Sequence, residues 1–310
     1  MNDIRPTIQK STGGVTKFLN PKNDFAFKKI FGTERNKDIL IHFLNDMLMF
    51  KNNGHIVDIS FLKTIQDPET ASKKTSIVDI LCTDQSKNTY IVEMQVVKEK
   101  GFEKRAQYYA SKAYISQANI GEEYYNLKEI IFLAISDFIM FPNKKDYKSD
   151  HVILDMKNHD HDLKDFSFTF LELPKFNKDI NQLSTMIDKW AYFFKHAEKT
   201  SEENLQKLVG NDQIIERAFK ELNRFSWNDA ELLTYDQEAK YEGVRRAQID
   251  YAKDEGRIEG RIEERAEIAK NLINEGVPLQ LVEKVSKLSA TDVQKFALEI
   301  IQNSKSPNSE

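Results

Sequence analysis

The pattern of apolar positions predicts a mixed α/β core in the first half of the chain. Apolar residues recur at helical spacing at about 24–31, 36–49 and 102–119, which predicts amphipathic helices. Short apolar or β-branched runs predict strands at about 56–62, 76–81, 90–95 and 130–135. The order helix, three strands, helix and strand is αβββαβ.

The second half of the chain changes to a helical pattern. Runs at about 152–154 and 166–170 predict two further strands, and after Pro174 the pattern is helical to the end. Acidic and small residues at about 228–240 predict an irregular linker before a long charged helix at about 238–275. The predicted organisation has five parts: an N-terminal arm (1–18), an α/β core (19–176), a helical extension (177–237), a charged long helix with a small helical tail (238–303), and a disordered end (304–310).

Two of the predicted strands form a hairpin that carries a pair of carboxylates. The polar stretch Asp84–Asn88 separates the two runs and predicts the turn. A turn centred on Ser86 places Asp79 opposite Glu93, with Cβ atoms roughly 5 Å apart. Like charges this close are destabilising unless a cation lies between them, and a divalent cation with oxygen ligands is the natural candidate. Gln95 follows Glu93 by two residues and shares its face.

Three segments, taken in order, resemble a known family. They are Asn-Asp-Phe-Ala-Phe-Lys-Lys-Ile-Phe-Gly at 23–32, Glu-Met-Gln at 93–95, and Arg-Ala-Gln-Tyr-Tyr at 105–109. Together they resemble the Rpn family of recombination-promoting nucleases and transposases, within the PD-(D/E)XK nuclease superfamily, over residues 15–240. The resemblance implies an α/β fold. Its PD-(D/E)XK restriction-endonuclease-like core (αβββαβ, mixed sheet) is followed by a C-terminal all-helical extension.

The resemblance also implies a metal-dependent DNA endonuclease linked to recombination or mobile elements. Asp79 and Glu93 are then the catalytic metal ligands, and Mg²⁺ is the expected cation, with Mn²⁺ or Ca²⁺ as alternatives. The family's third acid matches Asp24, a further predicted metal ligand, with Glu34 as the alternative. Gln95 is predicted to be catalytic where the superfamily has a lysine. A neutral amide can hydrogen-bond a water or a phosphate but supplies no positive charge.

Basic and aromatic side chains near the hairpin are candidates for DNA contact. Arg105, Tyr108 and Lys112 share one face of the following helix, because they are spaced at i, i+3 and i+7. Arginine and lysine would hold a phosphate backbone, and the tyrosine would hydrogen-bond it or stack. Lys28, in the family's first segment, joins this set. The alternative for the helix is an ordinary solvated polar face.

The competing interpretation is a catalytically weak or inactive DNA-binding or protein-interaction module on the same fold. Gln95 favours it, and so does the net charge of −4, although a local basic groove matters more than the total. Asp79 and Glu93 oppose it, because a binding module has no need of two facing carboxylates. An exposed sheet face with solvated acids is a further alternative, which the apolar neighbours Ile77 and Leu81 disfavour.

Composition bounds the setting of the protein. The chain has 310 residues, of which 30% are charged, and no apolar run approaches the roughly 20 residues that span a membrane. No membrane partner is therefore expected. The N-terminus lacks the apolar segment of a signal peptide. The single cysteine, Cys82, rules out an internal disulfide and predicts a cytoplasmic location.

The C-terminal region carries a repeat and a small helical cluster. Gly-Arg-Ile-Glu at 256–259 recurs at once at 260–263, which gives a helix one arginine stripe and one glutamate stripe. A partner helix with antiparallel stripes would relieve the repulsion within each stripe. Self-association through this charged helix is therefore expected, and a flexible connector is the alternative. Residues 264–302 have the spacing of a helix-turn-helix, which predicts either DNA reading or docking on a partner.

Overall fold

The computed structural model describes residues 16–49, 54–66, 76–118, 123–210 and 212–305. The predicted N-terminal arm lies outside the described residues up to position 15, and the predicted disordered end does so from position 306. In chain order the helices and strands are α1 (Asp24–Phe31), α2 (Lys37–Leu48), β1 (Ile59–Phe61), β2 (Ile65–Gln66), β3 (Ser76–Ile77), β4 (Ile80–Asp84), β5 (Thr89–Gln95), α3 (Phe102–Ile115), β6 (Ile130–Ser136), β7 (Lys148–Val152), β8 (Phe166–Glu172), α4 (Met186–His196), α5 (Glu202–Val209), α6 (Gln213–Glu221), α7 (Asp229–Asn274), α8 (Leu279–Ser286) and α9 (Ala290–Lys305).

Six strands form one mixed sheet, in the order β1-β4-β5-β6-β8-β7. The pairs β5–β6 and β6–β8 are parallel, and the other neighbours are antiparallel. The short strands β2 and β3 form a separate antiparallel ladder. The mixed sheet and the helical region after it confirm the predicted α/β fold with a C-terminal helical extension.

Both faces of the sheet are covered, which explains why its central strands are so apolar. Every residue of β5 and of β6 is buried, the pattern expected of strands covered on both sides. On one face, Ile80 and Val92 pack with residues of α1, α2, α4 and α6 in the larger hydrophobic cluster. On the other face, Leu81 and Ile91 pack with residues of α3. Because side chains alternate along a strand, Glu93 and Gln95 lie on the same face of β5 as Ile91. Helix α3 covers that face.

The structure corrects the predicted start of the long charged helix. Helix α7 begins at Asp229 rather than at about 238, so the predicted linker at 228–240 is helical from Asp229 onward. Asn228 caps it, because the Glu231 N–H donates to Asn228 Oδ1 at 3.0 Å and the Asn228 N–H donates to Glu231 Oε2 at 3.1 Å. Tyr235 is buried, with its ring centroid 6.0 Å from that of Trp227. Capping and tertiary packing together extend the helix over residues that look irregular in isolation.

The bounds of three other elements also differ from the predicted ones. Strand β1 covers only Ile59–Phe61, because the Val57 N–H turns to the side-chain oxygen of Gln85, at 3.2 Å, instead of the strand ladder. Strand β7 ends at Val152, where the predicted strand at 152–154 begins. Helix α3 ends at Ile115 rather than at 119.

The chain forms two compact units, residues 1–242 and 243–310. The first holds the sheet, helices α1 to α6 and the start of α7. The second holds the rest of α7 with α8 and α9, and Ala269, Val282 and Val293 form its small buried core. The five-part division made from the sequence stays a prediction.

Candidate active site

A buried aspartate sets the turn of the β4–β5 hairpin. Oδ1 of Asp84 accepts hydrogen bonds from the backbone N–H groups of Ser86, at 2.8 Å, and Asn88, at 2.9 Å. Its Oδ2 accepts from the Tyr90 hydroxyl at 2.9 Å. Lys87 takes the left-handed conformation, with φ 70°, that closes the turn. The strand register therefore follows from local turn chemistry.

That register places Asp79 opposite Glu93. Ile80 pairs with Val92, and the next residues outward are the two acids, with Asp79 at the bend just before β4. The Asp79 N–H donates to Glu93 Oε1 at 3.2 Å, and the Met94 N–H donates to Asp79 Oδ2 at 2.8 Å. The predicted opposition of the two carboxylates is confirmed, while their catalytic role stays a prediction.

Both carboxylates are largely withdrawn from water. Glu93 is 5% exposed and the Asp79 side chain is 16% exposed. Burial raises the pKa of Glu93 well above its usual range, and the neighbouring charge of Asp79 raises it further. Burial also raises the pKa of Asp79, against the opposing effects of the Lys28 ammonium and the Met94 N–H. Such a pair is stabilised in its charged form by a cation bound close to both groups.

Helix α1 brings a lysine and a third acid to the pair. The Lys28 Nζ lies 2.7 Å from Asp24 Oδ1 and 3.4 Å from Asp79 Oδ1. Burial lowers the pKa of Lys28, but the hydrogen bond with Asp24 and the charge of Asp79 outweigh it, so the pKa is raised. Asn23 caps the helix, because the Ala26 N–H donates to its Oδ1 at 3.2 Å. The cap and the i, i+4 pair hold the ammonium beside the hairpin acids.

Gln95 lies beside Glu93 on β5, but both ends of its amide are engaged. Its Nε2 donates to the Val97 carbonyl at 2.9 Å, and its Oε1 accepts from Arg105 Nη2 at 2.6 Å. Arg105 also forms a salt bridge with Glu99. The charge of Arg105 opposes the rise in the pKa of Glu93. Arg105 therefore places a positive charge next to the uncharged amide of Gln95.

The predicted DNA-contact residues of α3 differ in their exposure to solvent. Arg105 and Lys112 are half-buried, whereas Tyr108 is 44% exposed. Burial raises the pKa of Tyr109, four residues after Arg105; the charge of Arg105 lowers that pKa, and the charges of Glu93 and Asp79 raise it. The Arg105 guanidinium is 5.9 Å from the Tyr109 ring centroid. Tyr109 also packs against the apolar cluster that holds Leu81 and Ile91.

The donor set fits a hard divalent cation. Mg²⁺ prefers oxygen ligands and is commonly held by one or two carboxylates with waters and substrate oxygens. Asp79 and Glu93 supply two such groups. Both oxygens of Asp24 contact Lys28, at 2.7 and 2.9 Å, and Glu34 lies in the 3₁₀ turn after α1. Within the described ranges, no group of three or more His, Cys, Asp or Glu side chains is arranged to hold a metal.

Comparison with known proteins agrees with this geometry. The family model for the PD-(D/E)XK nuclease family transposase matches residues 21–252, a span that includes α1, the acidic hairpin and α3. No curated protein and no solved structure matches the chain. The family match confirms the resemblance inferred from the three sequence segments. The chain belongs to the PD-(D/E)XK nuclease family transposases.

Proposed function

We propose that this protein is a divalent-metal-dependent DNA endonuclease that hydrolyses phosphodiester bonds. The observation that carries the proposal is the contact between Asp79 and Glu93, withdrawn from water, in a member of a nuclease and transposase family. The link to recombination or mobile DNA comes from the family alone. Hydrolysis is favoured over strand transfer, because no residue of the site indicates the latter.

Asp79 and Glu93 would hold the cation. When bound, Mg²⁺ or Mn²⁺ supplies Lewis-acid activation and a more acidic water. The Met94 N–H orients the Asp79 carboxylate through its bond to Oδ2. Arg105 orients Gln95 in the same way, so the position of the amide is set before substrate binds. An amide NH₂ carries two N–H donors, so Nε2 can donate to a water or a phosphate oxygen while it keeps its bond to the Val97 carbonyl.

Lys28 supplies the positive charge that Gln95 lacks. Its ammonium reaches Asp79 from α1 rather than from the hairpin. A phosphate that approaches the carboxylates comes within reach of this ammonium, which can stabilise the negative charge that develops in the transition state. Asp24 then acts as a positioning residue that holds Lys28, and a direct ligand role for Asp24 is the alternative.

Tyr108 and Lys112 extend the proposed DNA contact along α3. The Tyr108 ring is 44% exposed, with its centroid 6.3 Å from that of Tyr109. An exposed ring can hydrogen-bond the DNA backbone or stack on a base, and Lys112, one turn further, can contact a phosphate. The net charge of −4 gives no general attraction to DNA, so binding depends on these local groups.

Nicking of supercoiled plasmid tests the proposal. The wild type should nick plasmid in Mg²⁺ or Mn²⁺ and leave it intact in EDTA. Asp79→Asn and Glu93→Gln keep the side-chain size and remove the charge, so both should abolish nicking and weaken Mn²⁺ binding in calorimetry. Asp58→Asn is the matched control, because Asp58 is an exposed carboxylate paired with Lys37, and it should nick like the wild type.

The alternative function is a DNA-binding or protein-interaction module without useful catalysis. Gln95 favours it, because it stands where the superfamily has a lysine and its neutral amide is engaged by Val97 and Arg105. Such a module predicts DNA binding without nicking and without Mn²⁺ binding. A wild type that binds Mn²⁺, and an Asp79→Asn variant that does not, would exclude it.

A second copy of the chain is the other proposed partner. In the second unit, Val244, Tyr251 and Ile258 follow one another at seven-residue spacing and Ile262 comes four residues later, each between 51% and 65% exposed. This spacing forms one stripe of the kind that pairs in coiled coils. The flanking arginine and glutamate stripes would meet opposite charges in an antiparallel pair.

The last predictions concern the membrane, the cellular location and the C-terminal helices. Among the helices of the described residues, none combines the length and the apolar character that crossing a membrane requires. The cytoplasmic location stays a prediction from composition and from Cys82. DNA reading by residues 264–302 also stays a prediction.

A further inference from the structure

A cavity of about 430 Å³ lies beside α1, between that helix, the turn that follows it and the start of α7. Its volume falls within the range of about 300–1,000 Å³ that is typical of small-ligand pockets. The side chains that decide its chemistry are Phe25, Lys28, Lys29, Arg35, Glu221 and Glu231. The predicted functions of the chain leave this cavity unassigned.

The cavity and the acidic hairpin share one side chain. Lys28 lines the cavity, and its Nζ lies 3.4 Å from Asp79 Oδ1. A group bound in the cavity is therefore a close neighbour of a phosphate held at Asp79 and Glu93.

The lining favours a nucleobase over a simple anion. Lys29 is paired with Glu231, and Arg35 with Glu221 at 3.1 Å, so these four groups nearly cancel in charge. They nevertheless present hydrogen-bond donors and acceptors side by side, which matches the edge of a base.

An aromatic side chain of the cavity also suits a nucleobase. Phe25 lines the cavity and packs edge-on against Trp227, with ring centroids 5.7 Å apart and planes at 80°. That packing fixes the orientation of the Phe25 ring. Bases stack on such rings irrespective of their identity, while polar groups at the edge distinguish them.

We propose that this cavity binds the base of a nucleotide adjacent to the scissile phosphate. The base stacks on Phe25, the Arg35–Glu221 pair contacts its edge, and Lys28 contacts the phosphate. The inference rests on the proposed nuclease function and adds to it a base preference next to the cut.

Binding of short single-stranded homopolymers of each base, followed by fluorescence anisotropy in EDTA, tests the cavity separately from cleavage. The wild type should prefer one base. Phe25→Leu and Arg35→Ala should each weaken binding of that homopolymer by about tenfold and reduce the preference. The matched controls Tyr124→Leu and Lys207→Ala alter an exposed tyrosine and an exposed, paired lysine outside the cavity, and should bind like the wild type.

The outcomes separate this inference from the nuclease proposal. Equal binding of all homopolymers by the wild type, or an unchanged preference in Arg35→Ala, would overturn the cavity assignment even if plasmid is nicked. Because Arg35 is exposed, that variant keeps the test decisive if Phe25→Leu fails to fold. Asp79→Asn should lose nicking and keep the base preference. If the wild type does not nick plasmid but keeps its base preference, the nuclease proposal is rejected and the cavity assignment stands.

Discussion

At the scale of single residues, the positive charges of the site come from helices rather than from the hairpin. Lys28 reaches Asp79 from α1, and Arg105 reaches Gln95 from α3. Each cation also forms a salt bridge with an acid near it in the chain: Lys28 with Asp24, and Arg105 with Glu99. These partners hold the cations in place, so the site has its charges arranged before a substrate arrives.

Replacing Lys28 tests its proposed role directly. Lys28→Ala should lower the rate of plasmid nicking by about 10²–10³-fold, the usual effect of removing one group that stabilises transition-state charge. Mn²⁺ binding measured by calorimetry should be retained or tightened, because a competing ammonium leaves Asp79. Lys28→Arg should keep part of the activity, and Lys37→Ala, which removes an exposed lysine paired with Asp58, should keep all of it. Wild-type nicking by Lys28→Ala would contradict the role.

Gly32 should tolerate no side chain, because a Cβ there would lie 2.8 Å from the Lys28 carbonyl oxygen. Gly32→Ala must shift the end of α1, and overpacking of this kind costs about 1–3 kcal/mol. Urea unfolding should show that loss. Gly256→Ala is the control of opposite sign: its Cβ meets open space on α7, so helix propensity should raise helicity. Equal stability of Gly32→Ala and the wild type would refute the steric argument.

At the scale of elements, the hairpin, α1 and α3 divide the site between them. The hairpin supplies the two facing acids through its register, and the helices supply the cations through the way they pack. Helix α7 differs from these, because the apolar stripe in its second-unit part is exposed. An exposed heptad stripe on a long helix is a surface that a partner helix would bury.

Polar substitution in that stripe should prevent self-association. The wild type should sediment as a dimer at micromolar concentration. The double variant Ile258→Asn/Ile262→Asn should sediment as a monomer, and its nicking rate per chain should equal that of the wild type. Leu298→Asn is the control, since Leu298 is 61% exposed on α9 outside the stripe. A wild type that is monomeric throughout the accessible concentration range would reject the proposal.

At the scale of the whole molecule, the helical extension is part of the body that supports the site. Residues from Phe18 to Tyr235 share one hydrophobic cluster with strands β4, β5 and β6. Helices α2 and α6 are further joined by His42, whose Nδ1 lies 2.7 Å from Asp46 Oδ2 and whose Nε2 lies 3.4 Å from Asp212 Oδ2. The family match, over residues 21–252, includes α2, α6 and the three strands.

The His42 contact makes the stability of this body depend on pH. The close contact with the Asp46 carboxylate raises the pKa of His42 above its usual 6.5, against the effects of burial and of Lys189. A raised pKa means that the protonated form favours folding, so the stabilisation is complete below about pH 6.5 and is lost as pH rises through the folded-state pKa. Between about pH 6 and 9, the wild type should lose more unfolding free energy than His42→Gln, because only the wild type gives up the protonated imidazole. Urea unfolding at the two pH values measures this, and a constant difference would contradict it.

The sequence by itself determined the parts that depend on local chemistry. The bounds predicted for α1 match the structure, because Asn23 provides the cap and apolar spacing defines the helix. The turn at Asp84 and the alternation along β5 were sufficient to place Asp79 opposite Glu93. The three segments that carry the family resemblance are local in the same sense.

Only the tertiary structure decided how separate elements meet. The sequence does not reveal that Lys28 lies against Asp79 or that Arg105 engages Gln95. These contacts depend on the angle and the depth at which α1 and α3 pack on the sheet. Such packing is set by the summed burial of many distant side chains, so no local spacing rule specifies it. The early start of α7 has the same cause, since burial of Tyr235 against Trp227 extends the helix.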